Sequence, residues 1–149
     1  MLPPNSLNKC LEELEHSNWG EPKYDSYLVT TIHRLRRVPL RELGVEDLRI
    51  MIGQNIGLPY LVPLALEELR KVPLAEGDYY PGDLLKMVLK ADRNFWQQYP
   101  EWRAEVREIA QRTLEHLRSV SPNHVDHSDV VLRSLTEGWE FFESAPHAV

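Results

Sequence analysis

Cysteine is nearly absent from this chain: Cys10 stands alone among 149 residues, so no disulfide can form within it. Long apolar runs are missing as well. The longest stretch without a charge, Ile50 to Leu66, is 17 residues and is interrupted by Gln54, Asn55, Gly57, Pro59 and Pro63, which excludes a membrane-spanning helix there and leaves a core segment. The first twenty residues hold Lys9, Glu12, Glu13 and Glu15 where a secretory signal needs an unbroken apolar run, so a reducing cytoplasmic setting is expected. Basic charge is in short supply: 17 Lys and Arg face 23 Asp and Glu, a net charge of −6. That balance repels phosphate backbones and anionic membranes, and it suits a basic partner.

What is present describes one soluble domain over residues 1–149, with 42% apolar and 27% charged side chains and a length ordinary for a single core. Helical spacing recurs throughout, and no stretch alternates apolar and polar residues as a half-buried strand does. The fold class is therefore all-α, with about six to eight helices. A first helix capped by Ser6 carries Leu7, Leu11 and Leu14 on one face and ends at Asn18-Trp19-Gly20. Asp25 or Ser26 caps a second, with Leu28, Ile32 and Leu35, that stops before Pro39. Glu46 and Asp47 open a third that buries Leu48, Met51 and Ile52. Gly57 reads as a helix stop and Pro59 as the first turn of a fourth helix reaching Lys71, whose start Pro63 must kink or delay. Asp83 opens the fifth helix and Asp92 the short sixth. Pro100 opens a long one with Trp102, Val106, Ile109, Thr113, Leu117 and Val120 on one face. A polar break at 121–128 precedes a last helix carrying Val131, Leu135, Trp139 and Phe142.

An internal echo accompanies this pattern. Arg37-Val38-Pro39-Leu40-Arg41-Glu42 returns as Lys71-Val72-Pro73-Leu74-Ala75-Glu76, and Asp47-Leu48 with Met51 returns as Asp83-Leu84 with Met87. Two stacked helix–loop–helix units are one architecture that would produce it.

Reactive chemistry is poorly supported. His124 to Asp129 is the densest cluster of possible metal ligands, but two histidines beside polar residues fall short of the three or four converging ligands zinc requires. The plain reading is a solvated loop whose Asp126 or Ser128 caps the last helix, with no metal and no cofactor. Cys10 lies on the inward face of its helix, where a thiol is inert. Gly53 and Gly57 read as positions of turning and close helix approach, with Gln54 and Asn55 satisfying helix ends.

Charge placement says more. Residues 1–30 carry two basic and five acidic side chains and residues 119–149 one and five, so acid collects at both ends. With its apolar residues turned inward, the last helix presents Asp129, Arg133, Glu137 and Glu140 outward, next to Asp126. This acidic stripe is the first candidate binding surface. The second is the acidic, tyrosine-bearing loop with Glu76, Asp78, Tyr79, Tyr80 and Asp83, because tyrosine offers large contact area at modest entropic cost.

The strings LEELEHSNWGEP, DSYLV, VEDLRIMIGQNIGLPYLVPLALE and PLAEGDYYPGDLL make residues from about Leu7 to Leu89 resemble the immunity proteins of bacterial contact-dependent growth inhibition (CDI) systems. That resemblance implies an inhibitor that binds the C-terminal toxin domain of an effector delivered by a neighbouring cell and blocks it in the recipient cytosol, without catalysis or cofactor. An acidic inhibitor suits a basic nuclease toxin, whose positive cleft it can occupy. Two other classes stay open. One is a helical-repeat scaffold for a host protein, distinguished by whether its gene follows that of a large secreted effector. The other is a small metal-dependent hydrolase using His124 and His127, distinguished by bound metal.

Overall fold

Caps and prolines set where the helices of this chain begin, and a computed structural model describes them over residues 2–120 and 127–144. Eight α-helices lie among the described residues: α1 (Leu11–Leu14), α2 (Tyr27–Leu35), α3 (Val45–Gly53), α4 (Leu58–Lys71), α5 (Asp83–Leu89), α6 (Arg93–Gln98), α7 (Pro100–Val120) and α8 (His127–Glu143). No strand accompanies them there. The all-α expectation holds, and most starts follow the predicted chemistry. Ser26 Oγ accepts the Val29 N–H at 3.1 Å to start α2. The Asp47 carboxylate reaches back to the Gly44 N–H at 2.9 Å to start α3, and Asp92 accepts from Asn94 N–H at 3.1 Å to start α6.

The N-terminal helix is the main departure. In place of one helix from Ser6 there is a 3-10 turn, Ser6–Asn8, then extended backbone at Lys9 and Cys10, and then the single turn of α1. Tertiary hydrogen bonds outcompete local propensity here. The Lys9 carbonyl accepts the Leu40 N–H at 2.9 Å, the Glu12 N–H donates to the Arg36 carbonyl at 3.1 Å, and Ser6 Oγ turns back to the Pro3 carbonyl instead of capping. Leu7 is left exposed as a result, while Leu11 is fully buried. The start of α4 is a smaller correction. Gly57 begins this helix and does not end α3, and the helix runs from Leu58 straight through Pro63.

The short helix α5 is the hub. It packs against α3, α4, α7 and α8, and α7 also packs on α8. Leu84, Leu85, Val88 and Leu89 of α5 join Met51, Ile52, Leu66, Leu69, Val106, Leu135 and Phe142 in one core. The echoed segments form two helix pairs, α2 with α3 and α4 with α5, and the second helices of the pairs pack directly on each other. Gly53 permits that approach, since a Cβ there would stand 3.0 Å from Met87 Sδ. The echo is offset in register: Asp47 is the third residue of α3, whereas Asp83 is the first of α5.

Gly57 is constrained twice. Its φ is +64°, and an added Cβ would lie 2.7 Å from Leu11 Cδ1. Gly20 has φ +72° with open space around it. Gly20→Ala should therefore lose only the left-handed backbone preference, about 1–2 kcal/mol. Gly57→Ala should lose that plus overpacking of about 1–3 kcal/mol. Urea titration of both variants checks the difference, and equal losses would mean that Leu11 simply moves aside.

Candidate functional site

The loop between α4 and α5 is held from beneath by three charged side chains. Glu46 and Arg49, three residues apart on α3, form a two-pronged pair, with Arg49 Nε donating to Oε1 and Nη2 to Oε2, both at 2.6 Å. Glu46 Oε1 also accepts the Asp78 N–H at 2.9 Å. Asp83, only 2% exposed, accepts the Gly77 N–H at 2.7 Å through Oδ1 and the Tyr79 N–H at 3.1 Å through Oδ2. Its Oδ2 lies 3.8 Å from Arg49 Nε. A Cβ at Gly77 would collide with Glu46 Oε1 and stand 3.1 Å from Asp83 Oδ2, so the network closes only over glycine. Glu76 and Pro81 pair in an isolated bridge at the neck of the loop.

This anchoring decides what the loop displays. The guanidinium of Arg49 sits 4.4 Å from the centre of the Tyr79 ring, which remains 69% exposed. Glu76 and Asp78 are exposed beside it. Tyr80 is half-buried, and its hydroxyl meets Ser134 Oγ of α8 at 2.7 Å. Among the second candidate set, Glu76, Asp78 and Tyr79 are thus available to a partner, whereas the Asp83 carboxylate is committed to holding the loop.

The helix-8 stripe is exposed as its spacing predicts at Arg133, Glu137 and Glu140. Glu137 reaches Lys86 Nζ of α5 at 3.4 Å, which offsets part of its charge. Asp126 and His124 lie outside the described residues; Asp129 falls in the first turn of α8, and its side chain, like that of His127, is also outside them. The two candidate surfaces lie on elements that touch. Tyr80 with Ser134 and Lys86 with Glu137 tie the loop and α5 to α8.

Other polar groups are engaged structurally. Cys10 is buried, and its thiol donates to Glu13 Oε1 at 3.2 Å; burial, with the Glu13 carboxylate adding to it, pushes the thiol pKa up, the opposite of nucleophile activation. His33 Nδ1 lies 3.2 Å from the Gly20 carbonyl, and its ring meets Trp19 edge-on. Among the described residues, no three His, Cys, Asp or Glu side chains converge as a metal site would require, and no helix is long and apolar enough to cross a membrane. A groove of about 520 Å³ runs past Leu2, Pro3, Tyr60, Tyr99 and Trp102; Glu101 is the one titratable acid or base among its described lining apart from the two phenols.

The family described as CDI immunity proteins matches residues 13–106. The chain belongs to this family. Comparison with curated proteins finds no match. Immunity proteins of this family are generally not enzymes. The matched residues contain the loop and all three side chains that hold it, while α8 lies beyond them. Sequence reasoning located the loop and missed its support, although the Glu-x-x-Arg spacing of Glu46 and Arg49 on a predicted helix is a readable signal.

The Arg49 guanidinium holds the Glu46 carboxyl below its ordinary value of 4.5, against the opposing effect of burial and with help from the Asp78 N–H. A carboxylate depressed on folding contributes stability that is complete above its unfolded pKa and is lost as pH falls through the folded one. Glu46→Gln should therefore be less stable than the parent at pH 7 by about 1.5–3 kcal/mol, the range for charged hydrogen bonds. Denaturation across the acid range should show that gap closing below about pH 4.5, and a constant gap would contradict the assignment.

Proposed function

We propose that this chain binds and neutralises the C-terminal toxin domain of a CDI effector in the cytoplasm, and that it does so with the acidic face where the 76–82 loop meets α8. Family membership supplies the partner class. The observation behind the choice of face is the contact of Tyr80 with Ser134, which ties the acidic loop to the helix that carries the acidic stripe. A basic nuclease is the toxin class that fits best: an enzyme that grips a phosphate backbone needs a positive cleft, and an acidic face complements it. Inhibition then needs only occupancy of that cleft and no chemistry from the inhibitor.

Charge complementarity acts chiefly on the rate of encounter. Glu137→Lys combined with Glu140→Lys changes the net charge from −6 to −2. The double variant should associate about tenfold more slowly with the toxin domain at low salt, with the difference shrinking as ionic strength rises. Protection of cells expressing the toxin should weaken in parallel. Circular dichroism should stay close to the parent, with melting lowered slightly by loss of the exposed Glu137–Lys86 pair, worth about 0–1 kcal/mol. Unchanged association at low salt would remove the stripe from the interface.

A further inference from the structure

We infer that Tyr79 is the anchor of the interface, a preorganised aromatic side chain that inserts into an apolar recess rimmed by Lys or Arg on the toxin domain. The inference rests on the proposed function and names the residue that would carry most of the binding. Hot spots at protein interfaces are dominated by Trp, Tyr and Arg that lie near the centre of the contact and reach full desolvation on binding. An exposed aromatic on an unsupported loop gives up part of that gain, because the ring and its backbone must be ordered on binding. Tyr79 has that ordering in place beforehand. Its N–H is fixed by Asp83, the N–H groups of Gly77 and Asp78 are fixed by Asp83 and Glu46, and one ring face rests on Arg49.

The other exposed aromatics differ in support or in what they cover. Tyr24 and Tyr27 are as exposed, but among the described residues their rings meet no aromatic ring or cation. Trp19 is held by Arg36 and His33, and it covers the buried Arg36 guanidinium. Among the described residues, Tyr79 is the most exposed aromatic ring that rests on a cation, 69% against 45% for Trp19, and it has acidic neighbours. Glu76 and Asp78 flank it, so a recess that accepts the phenol and carries cations on its rim satisfies all three side chains at once.

The test uses the full chain and the purified C-terminal toxin domain of its cognate CDI effector. Tyr79→Ala should weaken binding by about 30-fold or more, the threshold of an interface hot spot, through faster dissociation, with an unchanged melting temperature. Tyr79→Phe should stay within about threefold of the parent, since the ring supplies the contact. The loss in Tyr79→Ala should persist at high salt, unlike that of the Glu137 and Glu140 double variant, because apolar burial is not screened. Gly77→Ala, which leaves the ring intact but displaces its support, should also speed dissociation. If the parent binds the toxin domain and Tyr79→Ala matches it within threefold, the anchor is refuted and the proposed function stands. Absence of binding by the parent refutes the proposed function and the anchor together. Parental affinity in Gly77→Ala, with a loss in Tyr79→Ala, refutes the preorganisation.

Discussion

The architecture turns on one buried carboxylate, that of Asp83 at the first residue of α5. A carboxylate taken out of water is strongly unfavourable unless it is hydrogen-bonded and faces positive charge. Here two backbone N–H groups, the Arg49 guanidinium and the positive end of α5 supply both conditions. Fixing Asp83 fixes the entry of α5, and α5 touches α3, α4, α7 and α8. A polar tether at the helix start and an apolar face along Leu84, Leu85, Val88 and Leu89 therefore position the same seven-residue element from two directions. So short a helix is unstable alone. Its geometry is a tertiary product.

A second polar tether organises the opposite part of the chain. Arg36 is fully buried, donating to Glu15 and to the Ser17 carbonyl at 2.6 Å, with the Trp19 ring stacked 4.1 Å from its guanidinium. Arg37 reaches Glu12 and the Gly20 carbonyl. Residues 12–20, which have little regular structure, are thus held by two consecutive arginines just past the end of α2. Both tethers share a logic. A guanidinium can satisfy a carboxylate, a carbonyl and an aromatic face together, which a lysine ammonium matches poorly.

These tethers mark the boundary of what the sequence makes legible. Helices α2, α3, α5, α6, α7 and α8 follow from apolar spacing bounded by Ser26, Asp47, Asp83, Asp92 and Pro100, because capping and burial are local and periodic. The inward set Val131, Leu135 and Phe142 and the outward set Arg133, Glu137 and Glu140 on α8 follow from the 100° step alone. Residues 6–14 defeat such reading: Leu7, Leu11 and Leu14 have perfect helical spacing, and the helix is broken by hydrogen bonds to Arg36 and Leu40, over twenty residues away. The candidate loop shows the same limit. Its acids and tyrosines are visible in sequence, but which of them face inward is settled by distant partners on α3 and α8; the Glu46 and Arg49 spacing signals a pair and not what that pair holds.

That division between inward and outward residues has a consequence for which positions can change. Glu46, Arg49, Gly77 and Asp83 fix the loop from below, while Glu76, Asp78 and Tyr79 stand on its outer side. Changes to the supporting set leave buried N–H groups or a charge without partners, at about 1–3 kcal/mol each. Changes to the outer set alter charge and contact area at about 0.5 kcal/mol or less. With total stability only about 5–15 kcal/mol for a domain, a chain can absorb several substitutions of the second kind and few of the first. The outer side chains of this loop can therefore change while its backbone stays as it is, because they are separate from the side chains of α3 and α5 that support it.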